Sequence, residues 1–212
     1  MKWHYKKNIN QINLITMNKK RLLSSILAIA LVAVVVSCQT SDSVSNDSDS
    51  TTDLILKSYS ARTFTSEPVS TGDLEVILQC GIKAPSARNL QPWKFIVTKD
   101  LSVMQQMIGN TNAGNVLIVV CGPEAQANSA ADFDCGLATE NMTIAAQSLG
   151  LGARIYTNPV ANINLTMKET LQIPEGYRAI AVLRVGHIEK DVDAESMASP
   201  RNSYEETVIF LD

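Results

Sequence analysis

Between two prolines the chain reads Ala84-Pro85-Ser86-Ala87-Arg88-Asn89-Leu90-Gln91-Pro92-Trp93, a run of short polar side chains with one guanidinium and two carboxamides. Each proline biases the residue before it away from the helical region, so the backbone between Pro85 and Pro92 is expected to stay open. Its amides and side chains are then available to a ligand. This is binding chemistry, and few other chemistries are on offer. His4 lies in the leader and His187 stands alone, so no metal-ligand cluster is visible. Cys80, Cys121 and Cys135 show no C-x-x-C spacing, and Cys80 and Cys121 sit among apolar residues, which favours buried free thiols over a disulfide. No Gly-x-Gly-x-x-Gly phosphate loop occurs.

The elements that deliver this loop follow from hydrophobic spacing. Ser70 or Thr71 caps a helix in which Leu74, Ile77, Leu78 and Ile82 recur at helical intervals, and it leads directly to Pro85. Lys94 to Thr98 reads as a strand, Asp100 as the cap of a short helix, and Val116 to Val120 as a strand buried on both faces. A long helix between Ala131 and Gly150 carries apolar residues nearly all round, with Gly150 as its left-handed cap. A strand over 153–157, a helix over 162–171 ending before Pro174 and a strand over 178–185 complete a mixed α+β pattern.

The first residues belong to a different regime. Lys19-Lys20-Arg21 precedes an apolar run from Leu22 to Val36, too short for the roughly 20 residues of a spanning helix, and the pattern reads as a secretory signal. Met17 is an alternative start. The run ends in Val35-Val36-Ser37-Cys38, which resembles the lipobox of bacterial lipoproteins and implies lipidation of Cys38; a signal-anchor helix with an incidental cysteine is the alternative. The expected division is a signal over 1–37, a polar, acidic tether over 38–52 and a folded domain over 53–212. The expected location is the cell envelope, lipid-anchored to a bacterial membrane. Removing 1–37 takes away six of the 18 basic residues and none of the 21 acidic ones, leaving a net charge near 12 − 21 = −9. That balance argues against nucleic acid as a partner.

Three segments together resemble a known family. Ser60-Ala61-Arg62-Thr63-Phe64, then "APSARNLQPWKFIV", then "DCGLATENMTIAAQSLGLGA" from Asp134 to Ala153 are similar, in order and spacing, to the flavin-dependent nitroreductases. The resemblance implies an α+β fold with a mixed sheet flanked by helices, forming an intertwined homodimer with one FMN in each of two clefts between subunits. By position, Ser60 and Arg62 approach the flavin from one subunit, and Pro85, Ser86, Ala87 and Asn89 approach it from the other. Arg201 corresponds to an arginine that reaches the phosphate. A reduced flavin needs positive charge near N1, and Arg62 is placed to give it. Trp93 opens a strand and is expected in the core.

Two positions depart from the family pattern: Ser58 stands where many relatives have an arginine, and Ser199 where a lysine often precedes the last arginine. Both losses weaken the expected grip on the phosphate unless Lys57, Arg88 or backbone amides substitute. The resemblance implies an FMN-dependent oxidoreductase acting in ping-pong order on a nitroaromatic, quinone or similar acceptor, with no acid or base side chain required. The alternatives are an exported lipoprotein that binds flavin or another small ligand without turnover, and a structural module with an empty cleft. Export would place the domain away from the main nicotinamide pool, so NAD(P)H is not expected to be the donor in the cell.

Overall fold

The apolar run at Val116 becomes the centre of the molecule. We describe a computed structural model of the chain at residues 50–124, 129–190, 192 and 198–211, all within one unit spanning 49–212. The leader, the Val35-Val36-Ser37-Cys38 run and the residues up to Asp49 lie outside the described residues. Among the described residues no helix is long and apolar enough to cross a membrane.

In chain order the elements are α1 (Thr51–Lys57), α2 (Thr71–Ile82), a 3-10 turn (Ala87–Asn89), β1 (Lys94–Thr98), α3 (Leu101–Met107), β2 (Val116–Pro123), α4 (Ser129–Ser148), β3 (Gly152–Tyr156), α5 (Val160–Asn162), β4 (Tyr177–Gly186) and α6 (Tyr204–Thr207). A capping box at Ser50 starts α1 inside the stretch read as a tether. The helix expected over 162–171 begins at Val160 and is wound as a π-helix over Ile163–Met167, before Gln172 turns the chain at φ 51°.

The strands form one sheet in the order β1-β2-β4-β3. The fold is α+β as expected. Its ladders are antiparallel throughout the described residues, where a mixed sheet was expected, because each strand enters antiparallel to the neighbour that it pairs. Val185 pairs with Val116 of β2 on one side and with Ala153 of β3 on the other, so β4 is hydrogen-bonded on both sides.

Alternation along β2 splits the core in two. Val116, Ile118 and Val120 face α2 and α4 and pack with Ile77, Trp93, Ala138 and Met142. Leu117 and Val119 face the other way and pack with Met104, Ile163 and Met167. Full burial of each such aliphatic side chain contributes about 1.5–3 kcal/mol, so a strand buried on both faces anchors both layers.

Helix α4 presents Cys135, Ala138, Met142, Ala145 and Ala146 to the core. It is not enclosed on all sides in the single chain: Leu137 and Ile144 are half-buried and Phe133 is 66% exposed. Helix α2 approaches it closely because Gly81 lacks a side chain; a Cβ there would stand 2.7 Å from Met142 Cγ.

Candidate functional site

The segment carrying Ser60 and Arg62 is fastened along the outer edge of the sheet. Ala61 N donates to Ala153 O of β3 (3.0 Å), Thr65 N to His187 O (2.8 Å), and Glu189 N to Thr63 O (3.1 Å). Phe64 is buried at 5% exposure, with the Arg184 guanidinium 4.1 Å from its ring centroid. Asn112 Nδ2 donates to Phe64 O and Asn115 Nδ2 to Thr65 O (2.9 Å). A segment held at so many points has little freedom to move its side chains relative to the sheet.

Arg184 completes this anchor. It is 1% exposed, and its guanidinium donates to Asn115 Oδ1 from Nε (2.9 Å) and Nη2 (2.7 Å), to Asn110 Oδ1 from Nη1 (3.3 Å) and to Asn110 O from Nη2 (3.1 Å). Burial pulls its pKa down, opposed by a bond with the Tyr156 side chain. A buried cation is tolerated only when its donors are used, and these are.

Beside the fastened segment lies a cavity of about 140 Å³, lined by Ser58, Tyr59, Ser60, Glu140, Gln147 and Arg201 among others. Gln147 Nε2 donates to Tyr59 O (2.8 Å), which fixes the orientation of the amide. Its Oε1 is buried and has no hydrogen-bond partner. An orphaned buried acceptor calls for a donor. Ser58 and Arg201 also line a second hollow of about 360 Å³, together with Lys57 and Ser199.

Arg62 does not extend alone toward an open cleft. Its Nη2 donates to Ser199 Oγ (3.2 Å), while Arg201 Nη1 donates to Ser199 O (2.8 Å). The structure therefore brings Ser60, Arg62 and Arg201 to one place.

The proline-bounded loop stands elsewhere and is less open than expected. Ala87 N is held by both carboxylate oxygens of Asp134 (3.2 and 3.1 Å), Asn89 N bonds Ser86 O (3.0 Å), Leu90 N bonds Ala87 O (3.1 Å) and Gln91 N bonds Ser86 Oγ (3.0 Å). Four of the amides expected to meet a ligand are thus used within the molecule, where the loop curls into a 3-10 turn over Ala87–Asn89. What it offers is its surface: Pro85, Ala87, Arg88 and Asn89 are exposed, and Ser86 half-buried. Arg88, Asn89 and Gln91 take positive φ (52°, 56° and 46°), a conformation costing about 1–3 kcal/mol for a residue other than glycine unless its surroundings impose it. Asp134, 4% exposed, is the buried group that holds the start of this turn at Ala87. Trp93 is in the core at 7% exposure, stacked on Phe95.

The two groups of residues meet opposite ends of α4. Asp134 holds the loop at one end and Gln147 the Tyr59–Ser60 segment at the other, about 20 Å apart at the rise of an α-helix. Asp134, Gln147, Asn115 and Arg184 were not singled out in the sequence. Arg184 alone left a signal, a single charge within Ala179-Ile180-Ala181-Val182-Leu183-Arg184-Val185. Cys80, Cys121 and Cys135 are free, and burial pushes the thiols of Cys121 and Cys135 up to about 11 and about 12, so neither is a nucleophile at neutral pH.

Comparison with known proteins matches this framework along most of its length. The model of the nitroreductase family matches residues 55–110 and 109–187. A protein of Archaeoglobus fulgidus, whose name pairs NADH dehydrogenase with NAD(P)H nitroreductase, is 32% identical over 150 residues, covering 66% of this chain and 86% of its own. The NADPH-flavin oxidoreductase of Vibrio harveyi is 25% identical over 167 residues, 69% of each chain. Among solved structures, one from Desulfovibrio desulfuricans, assigned to the nitroreductases and solved in complex with FMN, superposes with a TM-score of 0.65 at 28% identity, covering 76% of this chain and 96% of that one. The matched residues include the fastened Ser60–Phe64 segment, the proline-bounded loop, the sheet and α4, so sequence and fold agree on one conclusion: the chain belongs to the nitroreductase family.

Proposed function

We propose that the protein is an FMN-dependent oxidoreductase that works as a homodimer. The observation that carries the cofactor is the cavity at Ser60 and Arg201, where a buried acceptor, Gln147 Oε1, lacks a donor. A ribityl chain carries hydroxyl donors and ends in a phosphate, and the residues present fit both: Gln147 for a hydroxyl, Arg201 for the anion. FMN-bound neighbours of the same fold support the same group. When bound, FMN supplies two-electron transfer between a donor and an acceptor such as a nitroaromatic or a quinone. This chain's residues hold and orient it, and no described side chain is needed as an acid or base.

The dimer reading rests on the separation along α4. The loop with Ser86 and Asn89 cannot reach the cavity of its own chain at about 20 Å, so a second copy must bring its loop there. Exposed apolar surface supports this: Phe133 is 66% exposed, and Ile209, Phe210 and Leu211 at the C-terminal end are 83%, 74% and 93% exposed. Names of relatives favour NADH or NADPH as a reductant. The contrary expectation rests on the leader alone, as do the lipid anchor at Cys38 and the cell-envelope location, which we retain as part of the proposal. Mass spectrometry of the membrane fraction tests that part: a diacylglyceryl group on Cys38 supports it, an unprocessed N-terminus sinks it.

A second reading, flavin binding without turnover, is favoured by Ser58 and Ser199 at positions where relatives carry cations. The visible spectrum of the purified full chain tests the cofactor, and stopped-flow reduction by NADH, NADPH and quinols tests turnover. A yellow protein that releases FMN on denaturation and is reoxidised by a nitroaromatic supports the enzyme. A yellow protein inert to every reductant supports the second reading, and a colourless one that takes up no FMN removes both.

A further inference from the structure

With the amides of Ala87, Asn89, Leu90 and Gln91 bonded inside the molecule, the proline-bounded loop meets a small molecule through its side chains. Gln91 Nε2 donates to Asn89 Oδ1 (3.2 Å), which ties two of them together. Arg88 is exposed, and the structure gives its guanidinium no hydrogen bond or ion pair among the described residues. The carboxylates at this end of α4 are committed elsewhere: Asp134 holds Ala87 N, and both oxygens of Asp132 accept from Arg178 Nη2 (2.7 and 2.6 Å). Leu90, close to Arg88 in the turn, is 68% exposed. Arg88 also sits at φ 52°, ψ 23°, in the left-handed region where glycine is at ease and an arginine gains nothing from its backbone. What it contributes there lies in its side chain.

We propose that Arg88 is a substrate-binding residue: the second copy's loop brings its guanidinium, with Leu90 beside it, to the cofactor site, where the two select electron acceptors that are planar aromatics bearing a carboxylate. The inference rests on the homodimeric FMN reading and names the class of acceptor that this site takes. A guanidinium is planar and always charged, meets a carboxylate through two parallel N–H bonds and lies flat against an aromatic face. Leu90 adds apolar contact for the ring. The loop suits this task because Asp134 and the bonds within the turn hold its backbone in place before any ligand arrives, so little ordering remains to oppose binding. In a chain of net charge −3, a cation without a partner also attracts an anionic acceptor in a way that a neutral one does not feel.

The test uses molecules of one shape and two charges: 4-nitrobenzoate against 4-nitrobenzamide as acceptors, and benzoate against benzamide as ligands that do not react. The proteins are the FMN-loaded full chain and its Arg88→Gln, Arg88→Lys and Arg88→Gly variants. Reoxidation of protein reduced beforehand with stoichiometric dithionite gives second-order rate constants without a donor in play, and calorimetry on the oxidised protein gives dissociation constants. Wild-type protein should prefer the anionic member of each pair, less so as salt is raised. Arg88→Gln should lose about 10- to 100-fold for 4-nitrobenzoate and benzoate, the factor for a charge-assisted bond, and leave both amides and the FMN content unchanged. Arg88→Lys should recover part of the loss. Arg88→Gly should lose as much as Arg88→Gln while being no less stable to urea, which separates the side chain's role from the backbone's. Equal losses for charged and neutral members, no preference in the wild type, or FMN lost from Arg88→Gln overturns the proposal and leaves the FMN reading intact. Wild-type protein that takes up no FMN overturns both.

Discussion

At the scale of single residues, the candidate site is shaped by buried polar groups that hold backbone in place. Asp134 is the clearest: its carboxylate grips the amide of Ala87 and so holds a loop with three positive-φ residues. Asp134→Ala should loosen the loop and weaken FMN about 10-fold, whereas Asp134→Asn, which keeps one acceptor, should recover most of the affinity. Fluorescence titration of the two variants checks this, and equal losses would contradict it. Cys121 and Cys135 give a pH dependence. Burial raises both thiols from 9.0 to about 11 and about 12, so the folded state favours their neutral forms. Their contribution to stability is present below about pH 9 and is lost as pH rises through the folded values. Urea midpoints should therefore fall above about pH 9, and replacing both thiols with alanine should flatten that slope. These residues were hard to read from sequence because their roles depend on contacts with distant segments: Asp134 meets Ala87 across 47 positions and Arg184 meets Asn115 across 69.

The elements themselves were far more legible. Helix α2, strands β1 and β2 and the long helix α4 follow directly from apolar spacing and from caps at Ser70 and Asp100, since local periodicity and buried face coincide there. Spacing could not show that the chain after α5 would wind into a π-helix over Ile163–Met167, nor that Ser86, Ala87 and the distant Asp134 would take up amides of the proline-bounded loop, because a 3-10 turn leaves no periodic trace in three residues. The structure places Ser60, Arg62 and Arg201 near one another, and the bond from Arg62 to Ser199 needed coordinates. The contact between the Ser60–Phe64 segment and β3 gives the prediction at this scale. Gly152 faces Ile188, Ala61 and Phe64, and a Cβ there would lie 2.9 Å from Ala61 Cβ and 3.2 Å from Phe64 Cε1. Gly152→Ala should push the segment off the sheet edge, destabilise the fold by about 1–3 kcal/mol and lower FMN affinity more than an equally destabilising core change such as Met104→Ala. Chemical denaturation and flavin titration on the same samples decide it; equal FMN affinity in the two variants would contradict it.

For the whole molecule the account makes one structural demand: a single chain carries two half-sites that it cannot bring together. The fastened segment with its cavity lies at one end of α4, the loop at the other, and the exposed apolar tail at Ile209–Leu211 is left without cover in the single chain. Association of two copies resolves all three features, and cofactor binding should then be linked to dimer formation by mass action. Titrating FMN into the flavin-free full chain during analytical ultracentrifugation, with detection at both protein and flavin wavelengths, tests this most directly. The account predicts one FMN per chain, sedimenting with a species of twice the chain mass, and a dimer that tightens as FMN is added. FMN bound stoichiometrically to a folded monomer, or a dimer that takes up none, would contradict it.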